Sequence, residues 1–71
     1  MADSKVADHP LTDREREILA ALAAGHSYES SGAALGISVN TVRNHIRSAY
    51  DKLEVHTKSE AVCKAVRGGL I

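Results

Sequence analysis

Five polar residues between positions 40 and 51 carry the most specific chemistry in the chain. Asn40, Arg43, Asn44, Arg47 and Asp51 recur at i, i+3, i+4, i+7 and i+11, a spacing that gathers side chains on one face of a helix. Arginine pairs bidentately with the O6/N7 edge of guanine, and asparagine with the N6/N7 edge of adenine. Arg43, Asn44 and Arg47 therefore put both kinds of base-reading chemistry on one face. Ser38 and Thr41 lie near the start of that segment. Their hydroxyls suit a phosphate, which free helix amides and the helix dipole also attract. Any solvated helix carries a polar face, so spacing alone leaves both readings open.

Other chemistries find little support. His9, His26, His45 and His56 are 17, 19 and 11 residues apart, so no pair has helical metal-ligand spacing. The single cysteine, Cys63, belongs to no Cys-x-x-Cys pair, which argues against a structural zinc site. No glycine-rich loop leads into a lysine and Ser/Thr, so a phosphate-cradling loop is missing. Cys63 sits beside valine and lysine with an alanine two residues on, where a lone thiol serves as a small packing group. The expectation is a non-enzyme with no cofactor, no metal and no small-molecule substrate.

The elements that position the stripe must come from 71 residues, enough for one small domain with a marginal core. Hydrophobic residues make up 44% and charged residues 25%, the balance of a folded soluble domain. The only aromatics are Tyr28 and Tyr50, so the core must be built from Leu, Ile, Val and Ala, which favours close-packed helices. One cysteine forms no internal disulfide, and a reducing compartment follows. No apolar run approaches the roughly 20 residues of a membrane span, and no signal-peptide centre is visible. Cytoplasmic location without membrane contact is expected. The net charge is +0, but it is unevenly spread. Residues 1–39 hold three basic and six acidic residues, and residues 40–71 hold six basic and three acidic. The basic half is the one available to an anionic partner.

Residues 1–10 lack periodicity and are expected to form a flexible tail ahead of a domain over 11–71. Thr12 and Glu15 form a capping-box pair opening a helix, whose apolar face is Ile18, Leu19 and Leu22 and whose stop is Gly25. Ser27 caps a short helix over Tyr28–Leu35, stopped by Gly36, and Ile37 then packs inward. Ser38, with Thr41 at the box position, caps a third helix from Val39 to about Leu53. Val42, Ile46, Ala49, Tyr50 and Leu53 form its apolar stripe. A fourth helix follows Thr57, with Glu60 at the box position, and ends at Gly68-Gly69. The predicted fold is all-α, with four helices. Two helices joined by a short glycine-containing turn over Ser27–Leu53 make a helix-turn-helix, whose second helix enters the major groove of double-stranded DNA.

On the fourth helix, Val62, Cys63 and Val66 share one side, and Ala61 and Ala65 lie on the adjoining side towards the core. The first three are the expected surface of a weak two-fold homodimer that pairs on DNA. The competing reading makes the chain a helical protein-interaction module that uses the fourth helix and binds little or no DNA.

In order along the chain, the residues resemble the LuxR-type (GerE-type) helix-turn-helix domain of bacterial transcription regulators. The resemblance rests on Leu11-Thr12 with Arg14-Glu15, Gly25 with Ser27, and Leu35-Gly36-Ile37-Ser38. It continues through Thr41-Val42-Arg43 with His45, Lys52-Leu53 with Val55, Ala61-Val62, and Gly69-Leu70-Ile71. Ser27-Tyr28-Glu29 also echoes the C-terminal domain of sigma factors, but Lys52-Leu53-x-Val55 and the helix after Thr57 follow the LuxR-type pattern. The resemblance implies a four-helix DNA-binding effector domain of the response-regulator kind. In it the third helix reads bases through Arg43, Asn44 and Arg47, and Ser38, Thr41 and Lys58 bind phosphates. A dimer through the fourth helix and RNA polymerase are the protein partners it implies.

The chain departs from that pattern at several points. Ser30-Ser31-Gly32 stands where glutamate, an aliphatic residue and alanine are usual, and Ala49 stands where isoleucine or leucine is usual. Both departures predict a weakened core. Lys58 replaces an arginine, keeping the charge and losing the bidentate fork.

Overall fold

The structure, a computed structural model, describes residues 11–71. The expected tail over 1–10 lies outside the described residues. Among those described there are four helices and no strand: α1 (Asp13–Ala23), α2 (Tyr28–Leu35), α3 (Val39–Leu53) and α4 (Lys58–Arg67). The predicted all-α order and its boundaries hold.

Every helix begins on a hydroxyl. Thr12, Ser27, Ser38 and Thr57 each accept from the backbone N–H three residues on, satisfying a donor that the helix leaves free. Only α1 completes the reciprocal box, with Glu15 Oε1 accepting from the Thr12 N–H at 2.9 Å. The expected partners at the other two boxes bond elsewhere. Thr41 Oγ1 is too short to reach back to the backbone and meets the Ser38 hydroxyl at 2.9 Å. Glu60 Oε1 accepts from the His56 N–H at 3.0 Å, one residue ahead of its cap.

The turn between α2 and α3 needs its glycines for two different reasons. Gly36 takes φ +74°, which lets the Ile37 N–H donate back to the Gly32 carbonyl at 2.9 Å. Gly32 is needed for space: a Cβ there would lie 2.7 Å from the Ile37 carbonyl oxygen and 3.3 Å from Val42 Cγ2. The same left-handed turn closes α3, but there Glu54 takes φ +58°, with the Val55 N–H donating to the Tyr50 carbonyl at 3.1 Å.

α3 is the central element and packs on α1, α2 and α4. Its Val42, Ile46, Ala49 and Leu53 meet Ile18, Leu19 and Leu22 of α1 and Ala61 and Ala65 of α4 in one buried cluster. Full burial of a side chain such as Ile18 or Leu19 contributes about 1.5–3 kcal/mol, so this small set is what holds the fold. Leu11, just ahead of α1, joins the cluster, whereas Ile37, Tyr50 and Val62 pack against it half-buried. Val66 is 56% exposed and so lies off the core altogether. The two departures expected to weaken the core are both in it. Ser31 and Ala49 are fully buried, and Ser31 Oγ has no hydrogen-bond partner.

Candidate nucleic-acid interface

α3 has two unlike sides. One is buried through Val42, Ile46, Ala49 and Leu53, and on the other Asn40, Arg43, Asn44, Arg47 and Asp51 are all exposed. None of these five side chains makes a hydrogen bond or ion pair among the described residues. By contrast, Arg14 and Arg16 on α1 are taken up by Glu17 and Asp13. Among the described residues, the cations of the α3 stripe therefore have no internal partner.

The stripe is aimed by contacts on the far side of the helix. α2 supports the first turns, where the Gly32 backbone lies against Val42. The last turns are fastened by two lysines. Lys52 Nζ donates to Glu15 Oε1 on α1 at 2.9 Å, and Lys64 Nζ of α4 donates to the Leu53 carbonyl at 2.7 Å. Burial alone would raise the Glu15 pKa. The bond from Lys52, the Thr12 N–H, the Ser48 hydroxyl and the Lys52 charge outweigh it and hold the carboxyl below its ordinary value. The charged form is therefore the one that spans α1 and α3.

Sequence reasoning missed both fastenings. Glu15 has a sufficient local role as a capping residue, which concealed its second one. A polar side chain at position 15, one turn from Ile18 and Leu19, was the available signal.

Ser38 and Thr41 come together at the start of α3. Ser38 Oγ accepts from the Thr41 N–H at 3.2 Å, and the two hydroxyls share one hydrogen bond. That bond uses one hydroxyl proton and leaves the other free to donate to a phosphate. Lys58 stands on a different element as the exposed first residue of α4. A cation there opposes the helix dipole, so its position brings no benefit to α4 itself. Cys63 and Val66 are exposed on α4, and Val62 is half-buried with its edge on the core. No described helix is long and apolar enough to cross a membrane.

Comparisons with known proteins bear on the family and the fold. Residues 9–65 match the GerE sequence family, described as bacterial regulatory proteins of the luxR family. SgaR of Hyphomicrobium methylovorum is 52% identical over 52 residues, which cover 73% of this chain and 25% of SgaR. The transcriptional regulatory protein DesR of Bacillus subtilis is 39% identical over 61 residues, 86% of this chain and 31% of DesR. The chain thus spans about a quarter to a third of the length of such relatives. The solved structure of the transcription factor GerE superposes with a TM-score of 0.80 at 42% identity, covering 84% of this chain and 90% of that one.

Proposed function

Because the chain belongs to the luxR family of bacterial regulatory proteins, we propose that it binds double-stranded DNA sequence-specifically as the effector domain of a transcription regulator. α3 enters the major groove. The observation that carries this reading is the exposed, unpaired stripe of Arg43, Asn44 and Arg47 opposite the buried face of α3. These three read base edges, and Ser38, Thr41 and Lys58 hold the flanking phosphates.

The protein works in the cytoplasm and pairs on DNA as a weak two-fold homodimer through Val62, Cys63 and Val66. One ten-residue helix per partner buries far less than the ~1,600 Å² of a standard interface, so pairing depends on the operator. RNA polymerase is the further protein partner of a regulator of this kind. The incoming signal and the sign of regulation belong to the whole regulator.

Selection of duplexes from a random pool, followed by a salt titration, tests the reading. A defined motif should emerge, and affinity should fall steeply with salt as counterions are released. Arg43→Ala and Arg47→Ala should each cost about 1–3 kcal/mol and relax one base position. Uniform loss across all sequences would make the residue a phosphate contact. Failure to select any motif, with salt-insensitive binding to a protein instead, would favour an interaction module built on α4.

A further inference from the structure

The outward side of α4 carries a charge pattern that the described fold does not use. Ala61 and Ala65 are buried against the core. Glu60, Cys63 and Arg67 recur at i, i+3 and i+7, which places them together on another side of the helix, and all three are exposed. With Glu54, Val55 and Lys64 they line one open groove of about 590 Å³, where α4 meets the turn that follows α3. Glu60 Oε1 accepts from the His56 N–H, and neither Glu60 nor Arg67 makes an ion pair among the described residues. Lys64, the cation between them, donates to the Leu53 carbonyl at 2.7 Å. One acid and one base thus stand without an ionic partner near opposite ends of a ten-residue helix, about 10 Å apart along its axis.

A second copy of α4 complements this pattern in one orientation only. Two helices related by a two-fold axis run broadly parallel or antiparallel along their contact. In the parallel case each residue faces its own copy. Glu60 then meets a glutamate, Arg67 meets an arginine, and the helix dipoles are aligned. In the antiparallel case the ends exchange and the dipoles oppose. Glu60 faces the partner's Arg67, and Arg67 faces the partner's Glu60. The register that makes both pairs puts the axis between Cys63 and Lys64, midway between positions 60 and 67.

We propose that these two reciprocal ion pairs align α4 antiparallel to its mate and restrict pairing to a second copy of this chain. The inference rests on the pairing through α4 proposed above and adds its orientation and its charge code. A related domain with like charges at both positions is refused, whatever its apolar strip.

The test measures variants of the 71-residue chain on a single half-site and on an inverted repeat. Arg67→Gln leaves the Glu60 bond to His56 in place. It should keep half-site affinity within about twofold and lose about 2- to 30-fold in cooperativity, the range of two exposed ion pairs. Glu60→Arg and Arg67→Glu should each lose at least as much, because like charges then meet. The double variant Glu60→Arg/Arg67→Glu has the parent's net charge with the partners exchanged, and should regain cooperativity. Far-UV circular dichroism and half-site binding check that each variant folds.

A folded double variant no more cooperative than the single reversals would overturn the proposal. If the double variant does not fold, Arg67→Gln decides: loss confined to the repeat supports the ion pairs, and unchanged cooperativity overturns them. Equal loss of Arg67→Gln on both duplexes would make Arg67 a DNA contact and overturn them as well. In each of these cases pairing through α4 stands as long as Val66→Glu abolishes cooperativity. If Val66→Glu leaves it intact, pairing through α4 fails, and this proposal with it.

Discussion

Lys52 Nζ stands 2.9 Å from Glu15 Oε1, joining residues 37 positions apart in sequence. Glu15 is 3% exposed and Lys52 27%, so the pair is largely shielded from solvent. The same carboxylate oxygen accepts from the Thr12 N–H, so one group both caps α1 and anchors α3. A shielded ion pair of this kind is weak evidence for net stability, because desolvation offsets much of the attraction. Its larger effect is geometric. It fixes how α3 is turned about its axis, and therefore where Arg43 and Arg47 point.

The Glu15 carboxyl also sets a pH dependence. Its folded-state pKa lies below the ordinary 4.5, so between the two values the unfolded chain binds more protons than the folded one. Its stabilising contribution is complete above about pH 4.5 and disappears as pH falls through the folded value. Urea unfolding from pH 7 down to pH 3 should show stability falling on the acid side. Glu15→Gln should flatten that fall relative to the parent while being less stable at pH 7. An equally steep acid limb in the variant would show that other carboxylates carry the effect.

Position 31 and position 32 should respond in opposite directions. Ser31 Oγ is fully buried without a partner, a state that costs about 1–3 kcal/mol. Ser31→Ala removes the hydroxyl and should raise the melting temperature. Gly32→Ala would ordinarily gain up to about 1 kcal/mol of helix propensity. Here the new Cβ meets the Ile37 carbonyl oxygen at 2.7 Å, and that atom is backbone. Overpacking of this kind costs about 1–3 kcal/mol, so the net change should be a loss. A more stable Gly32→Ala would mean that the α2–α3 turn yields without cost.

Glu54 holds φ +58° at the end of α3, a left-handed conformation that costs a residue with a Cβ roughly 1 kcal/mol or more. Glycine pays no such steric cost but loses more entropy on folding. Glu54→Gly should therefore be modestly stabilising and raise the melting temperature by a few degrees. The residue is exposed, so little packing is lost. A lower melting temperature would show that the Glu54 side chain contributes more than the strain it carries.

Much of this was legible in the sequence because it is local. A hydroxyl at Thr12, Ser27, Ser38 and Thr57 announces a helix start whatever surrounds it, and Gly25 and Gly36 announce turns. The polar stripe of α3 is a periodicity within 15 residues. What escaped depends on contacts between distant segments. Glu15 with Lys52 and Lys64 with Leu53 are long-range pairs whose members each look sufficient in their own helix. Glu54 escaped for another reason: a left-handed turn without glycine or asparagine leaves no compositional mark. On α4 the helical period separated Ala61 and Ala65 from Val62 and Val66. Only packing could show that Val62 leans on the core while Val66 stands clear.

That separation makes Val66 the position at which to test pairing. It is 56% exposed, the most exposed of the large hydrophobic residues described, and Cys63 lies exposed one turn before it on the same side. A single exposed valine is tolerated on a monomer, so exposure alone is not an interface. Val66→Glu separates the cases. Away from the core, it should change stability by no more than about 0.5 kcal/mol. Across a two-fold axis it would set two carboxylates against each other in a strip that is otherwise apolar. Binding should be measured on a single half-site and on an inverted repeat with half-sites about 10–10.5 base pairs apart. If α4 forms the pair, the variant keeps half-site affinity within about twofold and loses cooperativity on the repeat. Equal loss on both duplexes would point to repulsion of the new carboxylate by DNA itself. Full cooperativity in the variant would place the dimer contact elsewhere on the domain.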